Sequence, residues 1–188
     1  MAKKKYVIVG TGARARMFYE AIARNFSAQN ELVALCDTNQ TRMDYTNKVL
    51  IEEFGLSQLP TYKVEDFGRM LDETAADVVI VTSIDRTHHT YIIAALEAGR
   101  DVITEKPMTT DVVKCQQIID TVKRTGRSVR VTFNYRYAPH NAAVHEIIAS
   151  GGIGDVYSVH FEWLLDTKHG ADYFRRWHRD KRNSGGLM

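Results

Sequence analysis

Val7-Ile8-Val9-Gly10-Thr11-Gly12-Ala13-Arg14-Ala15 sets an apolar run directly before a GxGxxA turn, and Met17, Phe18, Ala21 and Ile22 then recur at helical spacing. A strand, a tight glycine turn and a helix in that order make the first βα unit of an α/β fold. Gly10 permits the turn, Gly12 lets the backbone approach a pyrophosphate, and Ala15 keeps the helix close to the strand. The N–H groups of Gly12, Ala13 and Arg14, in one loop with Thr11, form with the helix dipole a site for an anion. GxGxxA alone is a weak signal, because a glycine-rich βα turn without a ligand has the same letters. Its setting adds weight. An acid, Asp37, follows the next apolar run, Leu32–Cys36, roughly 20 residues beyond the loop, where a carboxylate can accept hydrogen bonds from the adenosine ribose hydroxyls. A 2′-phosphate there would meet like charge, and Thr38 and Asn39 supply no cation, so NAD is expected rather than NADP. Arg14 and Arg42 are the reservation: either could swing to a phosphate or remain a solvated arginine on a helix.

Around this unit, β-branched runs recur at Tyr6–Val9, Glu31–Cys36, Asp77–Thr82, Asp101–Thr104 and Ser128–Thr132, with amphipathic segments between them. Continuous apolar strands such as Val78–Val81 suit a parallel sheet covered on both faces. The expected fold is therefore α/β, a doubly wound parallel Rossmann sheet, followed by the start of an α+β substrate domain. A helix at about 87–98 carries Tyr91, Ile92, Ala95 and Leu96 on its apolar face and ends at Gly99. The next, about 109–125, has Thr109, Thr110 and Asp111 as capping candidates. Pro139 opens a further helix as its first residue, with Ala143, Ile147 and Ile148 expected to be buried. Val156, Val159, Phe161 and Trp163 then predict a strand of a different sheet at about 155–165. The boundary is placed so that residues 1–132 form the nucleotide domain and 133–188 the incomplete start of a substrate and oligomerisation domain.

Composition narrows the class. The 188 residues are 44% hydrophobic and 26% charged, as in globular proteins, and 25 basic against 23 acidic residues leave a net charge of +2 without a basic stripe, so no nucleic-acid partner is expected. Lys3, Lys4 and Lys5 precede an apolar run too short for a signal peptide, which predicts a cytoplasmic protein without a membrane span. Cys36 and Cys115 lie far apart with no metal-ligand spacing, so they read as small core residues and no metal is expected.

The segments Thr82-Ser83-Ile84-Asp85-Arg86-Thr87-His88 and Ala95-Leu96-Glu97-Ala98-Gly99-Arg100-Asp101-Val102-Ile103-Thr104-Glu105-Lys106-Pro107 resemble the TPxxxH…ALxAGxxVxxEKP signature of the glucose-fructose oxidoreductase and inositol dehydrogenase (Gfo/Idh/MocA) family. Asn134-Tyr135-Arg136-Tyr137 with Pro139 resembles its NxRxxP segment, and Ser184–Met188 the start of its GG-x-L motif. The resemblance implies that Lys106 is the active-site lysine, that Glu105 faces the nicotinamide ribose, that the Lys106–Pro107 bond is cis, that His88 lies near the nicotinamide half, and that Thr82 is among the cofactor-binding residues. Asn134 and Arg136 then complete the cofactor-binding set, with Arg136 and Tyr137 facing substrate or pyrophosphate or else packing at a domain hinge. Blander readings stand beside these: Glu105 as a structural carboxylate paired with a neighbour, and His88 as a helix N-terminal residue bonding backbone. A lysine half-buried beside a cofactor suits proton transfer.

The family's acid and histidine of the Dxxx-H-xx-D stretch follow the GG-x-L segment, so His160, His169 and His178, which precede it, do not take that role. The chain is therefore expected to be the first part of a longer parent, to bind NAD, and to show no steady turnover by itself. Trp163, Tyr173, Phe174, Trp177 and the arginines at 175, 176 and 179 could border a sugar pocket or pack the second domain. For the parent, the resemblance implies an NAD-dependent dehydrogenase acting on a secondary alcohol of a sugar or cyclitol, expected to be a homo-oligomer. An NAD-dependent glycosidase of the same fold and a non-catalytic NAD-binding regulator are the alternatives.

Overall fold

The computed structural model describes residues 2–186. Six strands, β1 (Lys4–Val9), β2 (Asn30–Cys36), β3 (Thr61–Tyr62), β4 (Val78–Val81), β5 (Asp101–Glu105) and β6 (Val129–Thr132), form one sheet in the order β3-β2-β1-β4-β5-β6. All neighbours are parallel. The chain winds outward from β1 to β3 and returns on the other side at β4, so the order reverses between β1 and β4. At such a switch point the loops leaving the two strands diverge and open a crevice at their carboxyl ends.

Side-chain alternation along the strands builds a core on each face. Val7, Val9, Val79 and Val81 point to one face with Ile92, Leu96 and Ile118, and Ile8 and Ile80 point to the other with Phe18, Met43 and Leu50. Helices cover the faces: α1 (Ala15–Glu20), which continues as a π-helical turn over Ala21–Asn25, α2 (Gln40–Phe54), α3 (Phe67–Thr74), α4 (His88–Glu97) and α5 (Val112–Thr125). Asp111, the last of the three capping candidates, caps α5 by accepting the Lys114 N–H at 2.9 Å, so the helix starts at Val112 rather than near 109. β3 and α3 have no counterpart in the strand and helix reading of the sequence. Two residues after Pro60 are too few to show a period, and β3 exists because Leu35 and Cys36 of β2 pair with it.

Beyond β6 come a 3-10 turn over Asn134–Tyr137, α6 (Pro139–Ala149), α7 (Thr167–Arg175), a second 3-10 turn over Trp177–Arg179, and α8 (Lys181–Ser184). Pro139 opens α6 as expected. Two expectations here are corrected. Ile147 and Ile148 are 50% and 47% exposed, and Ala143 is exposed as well. Residues 155–165 form no strand: they run unpaired, with Tyr157, Val159 and Phe161 exposed. An alternating apolar pattern states a preference, but a strand exists only where a neighbouring strand takes up its N–H and C=O groups, and none does so among the described residues. Leu187 and Met188 of the GG-x-L segment lie outside the described residues. The segment before them folds back, so that α8 packs on the turn at 85–87 and Gly185 sits against the backbone of Thr110.

Candidate cofactor and active site

The phosphate loop is built by close backbone contact. Gly10 has φ +94°, and a Cβ placed on it would lie 2.4 Å from the Ser83 nitrogen and 2.6 Å from the Thr82 carbonyl carbon. Glycine alone fits there. The Thr82 hydroxyl donates to the Gly10 carbonyl at 2.6 Å, and the Thr82 N–H donates to the Val9 carbonyl at 2.9 Å, so the first residues after β1 and β4 stay in contact before the two loops diverge. Gly12 stands in open space, where a Cβ would meet nothing within 4 Å. Ala13 and Arg14 are exposed, and no side chain caps the first turn of α1, which leaves the amides at 12–14 available to an external anion.

Asp37 directly follows β2 and is 5% exposed. Its Oδ2 accepts the Thr11 N–H at 2.6 Å and the Thr11 hydroxyl at 2.9 Å, while Oδ1 accepts the Asn39 N–H at 2.9 Å. The carboxylate thus shapes the phosphate loop by tying Thr11 to the end of β2. Arg42 lies in the first turn of α2, its N–H bonded to the Asn39 cap. Cys36, one residue earlier, is buried and its thiol is pushed up to about 12, which makes it an inert core group, whereas Cys115 is only partly buried.

At the carboxyl end of β5 the Glu105 side chain is buried and Lys106 is exposed. Glu105 Oε1 accepts Arg14 Nε at 2.6 Å, and Oε2 accepts the Lys106 backbone N–H at 2.9 Å. The Lys106–Pro107 bond is cis. His88, 1% exposed, has Nδ1 2.8 Å from the Pro107 carbonyl and Nε2 3.0 Å from the Ser83 carbonyl, so it spans the loops after β4 and β5 from behind. Burial pushes its pKa down against the two carbonyls, which push it up. Asn134 accepts Arg14 Nη2 at 3.1 Å, and Arg136 is exposed beside it. Gly10, Thr11, Gly12, Ala13, Arg14, Asp37, Thr82, Glu105, Lys106 and Asn134 therefore converge on one edge of the sheet, with His88 beneath. Farther along the chain, Trp177 stacks on His178 at 3.6 Å between ring centres, and Trp163 meets Tyr135 edge-on at 5.3 Å.

Sequence reasoning missed Asp85. It opens the 3-10 turn after β4, and its carboxyl is pushed up to about 6 by burial and by Glu105, against the opposing pull of Lys106. A lone acid in a loop carries no spacing signal. Its one clue is its place between Thr82 and His88. Because the folded state holds this proton more tightly than the unfolded chain, where the group titrates near the usual 3.8, stability falls as pH rises from about 4 to about 6. Asp85→Asn should remove that part of the slope. Denaturant midpoints measured from pH 4 to 8 check it, and parallel profiles for the two proteins would contradict it.

A reversed strand order, a glycine loop at the switch point and a buried acid at the second strand's end define a dinucleotide-binding α/β domain. The comparisons go further. Residues 4–133 match the oxidoreductase family with an NAD-binding Rossmann fold, and the chain belongs to this Gfo/Idh/MocA family, whose cofactor is NAD. It is 38% identical over 185 residues to the protein YteT of Bacillus subtilis, covering 98% of this chain and 42% of YteT. It is 32% identical over 155 residues to an inositol 2-dehydrogenase of Gluconacetobacter diazotrophicus, covering 81% of this chain and 43% of that one. The WlbA dehydrogenase of Bordetella pertussis, solved with NADH and UDP-GlcNAcA, superposes with a TM-score of 0.72 at 26% identity, over 83% of this chain and 45% of its own. The chain thus spans less than half the length of these relatives. Among the described residues no helix is long and apolar enough to cross a membrane, and no group of three or more His, Cys, Asp or Glu could hold a metal ion.

Proposed function

We propose that the parent of this chain oxidises a secondary alcohol of a sugar or cyclitol with NAD, residues 1–132 holding the cofactor and 133–188 beginning the domain that holds the substrate. When bound, NAD supplies the hydride acceptor. The observation that carries the reading is Lys106: it is exposed at the carboxyl end of β5, one strand from the switch point of an NAD-binding sheet, on a main chain pinned by Glu105. The open, uncapped turn at Gly12–Arg14 fits a pyrophosphate, and Asp37 fits the adenosine ribose. Thr82 and Glu105 line the side of the nicotinamide ribose, and Asn134 and Arg136 the side toward the substrate. Lys106 Nζ holds the reacting hydroxyl and takes part in moving its proton. His88 bridges the two loops through the Ser83 and Pro107 carbonyls and so fixes the backbone on the nicotinamide side.

The test is a panel of inositols and hexoses offered with NAD to the full-length parent, with NADH formation followed by absorbance. Turnover on at least one cyclitol or sugar at about 1 per second or faster is expected. If the only substrates found are primary alcohols or hydroxy acids, the substrate class is wrong.

A further inference from the structure

Arg14 belongs to the loop after β1, yet its guanidinium bonds Glu105, the last residue of β5, and Asn134, in the turn beyond β6. β4 lies between β1 and β5 in the sheet, so these contacts join segments that follow strands which are not neighbours. The Arg14 side chain therefore links the loop after β1 to the end of β5 and the turn after β6. Its Nε donates to Glu105 Oε1 at 2.6 Å and its Nη2 donates to Asn134 Oδ1 at 3.1 Å. The Arg14 side chain is 43% exposed, whereas that of Glu105 is 5% exposed.

A buried carboxylate must have partners on both oxygens. On Glu105 these are different in kind: Oε1 holds Arg14, with the Thr132 hydroxyl at 3.5 Å, and Oε2 holds the main-chain N–H of Lys106 at 2.9 Å. The carboxylate is planar and rigid, so fixing one oxygen orients the other. The chain of contacts runs Arg14 to Glu105 to the Lys106 backbone.

We propose that Arg14 is a positioning residue for Lys106: through Glu105 it sets the main chain from which the lysine projects, and so ties the phosphate loop to the reacting end of the site. What the lysine then does rests on the function proposed above. The anchoring itself does not. An arginine suits the task because its fork engages Glu105 and Asn134 together, whereas an ammonium is a single point charge.

Amide hydrogen exchange at Lys106, read by NMR in the 188-residue chain, tests the anchoring. Arg14→Met should speed exchange of the Lys106 N–H by about tenfold or more, because the freed carboxylate no longer holds that bond, while Val102 and Thr104 within β5 keep their rates. Arg14→Lys should restore part of the protection. In a Glu105→Ala background, Arg14→Met should add nothing. An unchanged Lys106 rate in Arg14→Met, full additivity in the double variant, or loss of protection along all of β5 overturns the proposal. NADH affinity measured on the same samples separates the two readings: failure of wild type to bind NADH removes the cofactor reading and leaves the exchange result to stand or fall by itself.

Discussion

Replacing Gly10 by alanine is expected to destabilise the fold by about 3–5 kcal/mol, a large share of the roughly 5–15 kcal/mol that holds a domain together. Two causes add. The residue has φ +94°, which an L side chain adopts only under strain, and the new Cβ would stand 2.4 Å from the Ser83 nitrogen, where backbone rather than a flexible side-chain end must give way. The loops of β1 and β4 would part at the switch point. Thermal unfolding should show a fall on the order of 10 °C. Gly12→Ala makes the contrast, because nothing lies within 4 Å of its added Cβ. Its melting temperature should stay within about 1–2 °C of wild type while NADH affinity drops, since the methyl group occupies space a pyrophosphate needs. Equal melting temperatures for wild type and Gly10→Ala would show that the loop packing described here is wrong.

Lys106→Ala in the full-length parent should lower kcat by about 10²–10⁴-fold with little change in the dissociation constant for NADH. The side chain is exposed, so the fold loses almost nothing with it. The Glu105 contact is made by the Lys106 backbone and survives the substitution. A variant with near-normal kcat on its sugar would refute the role of the lysine in proton movement. A variant that binds NADH much more weakly would move Lys106 from the reaction to cofactor binding.

These effects fall on residues that local sequence already singled out, for a physical reason. Gly10, Gly12, Asp37 and Lys106 act through backbone freedom or charge at the ends of strands, and strand ends are visible in short apolar runs. Glu105 and His88 were open to two readings, and the structure gives Glu105 side-chain and backbone partners and His88 two backbone carbonyls, none of which sequence can count. Glu105 meets Arg14, 91 residues away in the chain, and His88 meets Pro107 and Ser83 through carbonyls that have no letter in the sequence. Asp85 was missed because its environment, rather than its spacing, raises its pKa. The strand expected at 155–165 failed on the same ground as β3 succeeded: a strand is a property of a pair. β3 has β2 beside it, and the later segment has no partner among the described residues.

Calorimetric titration of the chain with NADH and NADPH tests the central claim, that the loop at Gly10–Arg14 and the acid at Asp37 hold NAD. NADH should bind more tightly than NADPH, because the 2′-phosphate would meet the buried Asp37 carboxylate. Asp37→Ala combined with Gly12→Val should weaken NADH by roughly tenfold to a hundredfold or more, as expected for loss of hydrogen bonds to a charged group together with loss of the pyrophosphate's space. Tighter binding of NADPH, or equal NADH affinity in wild type and the double variant, would contradict it.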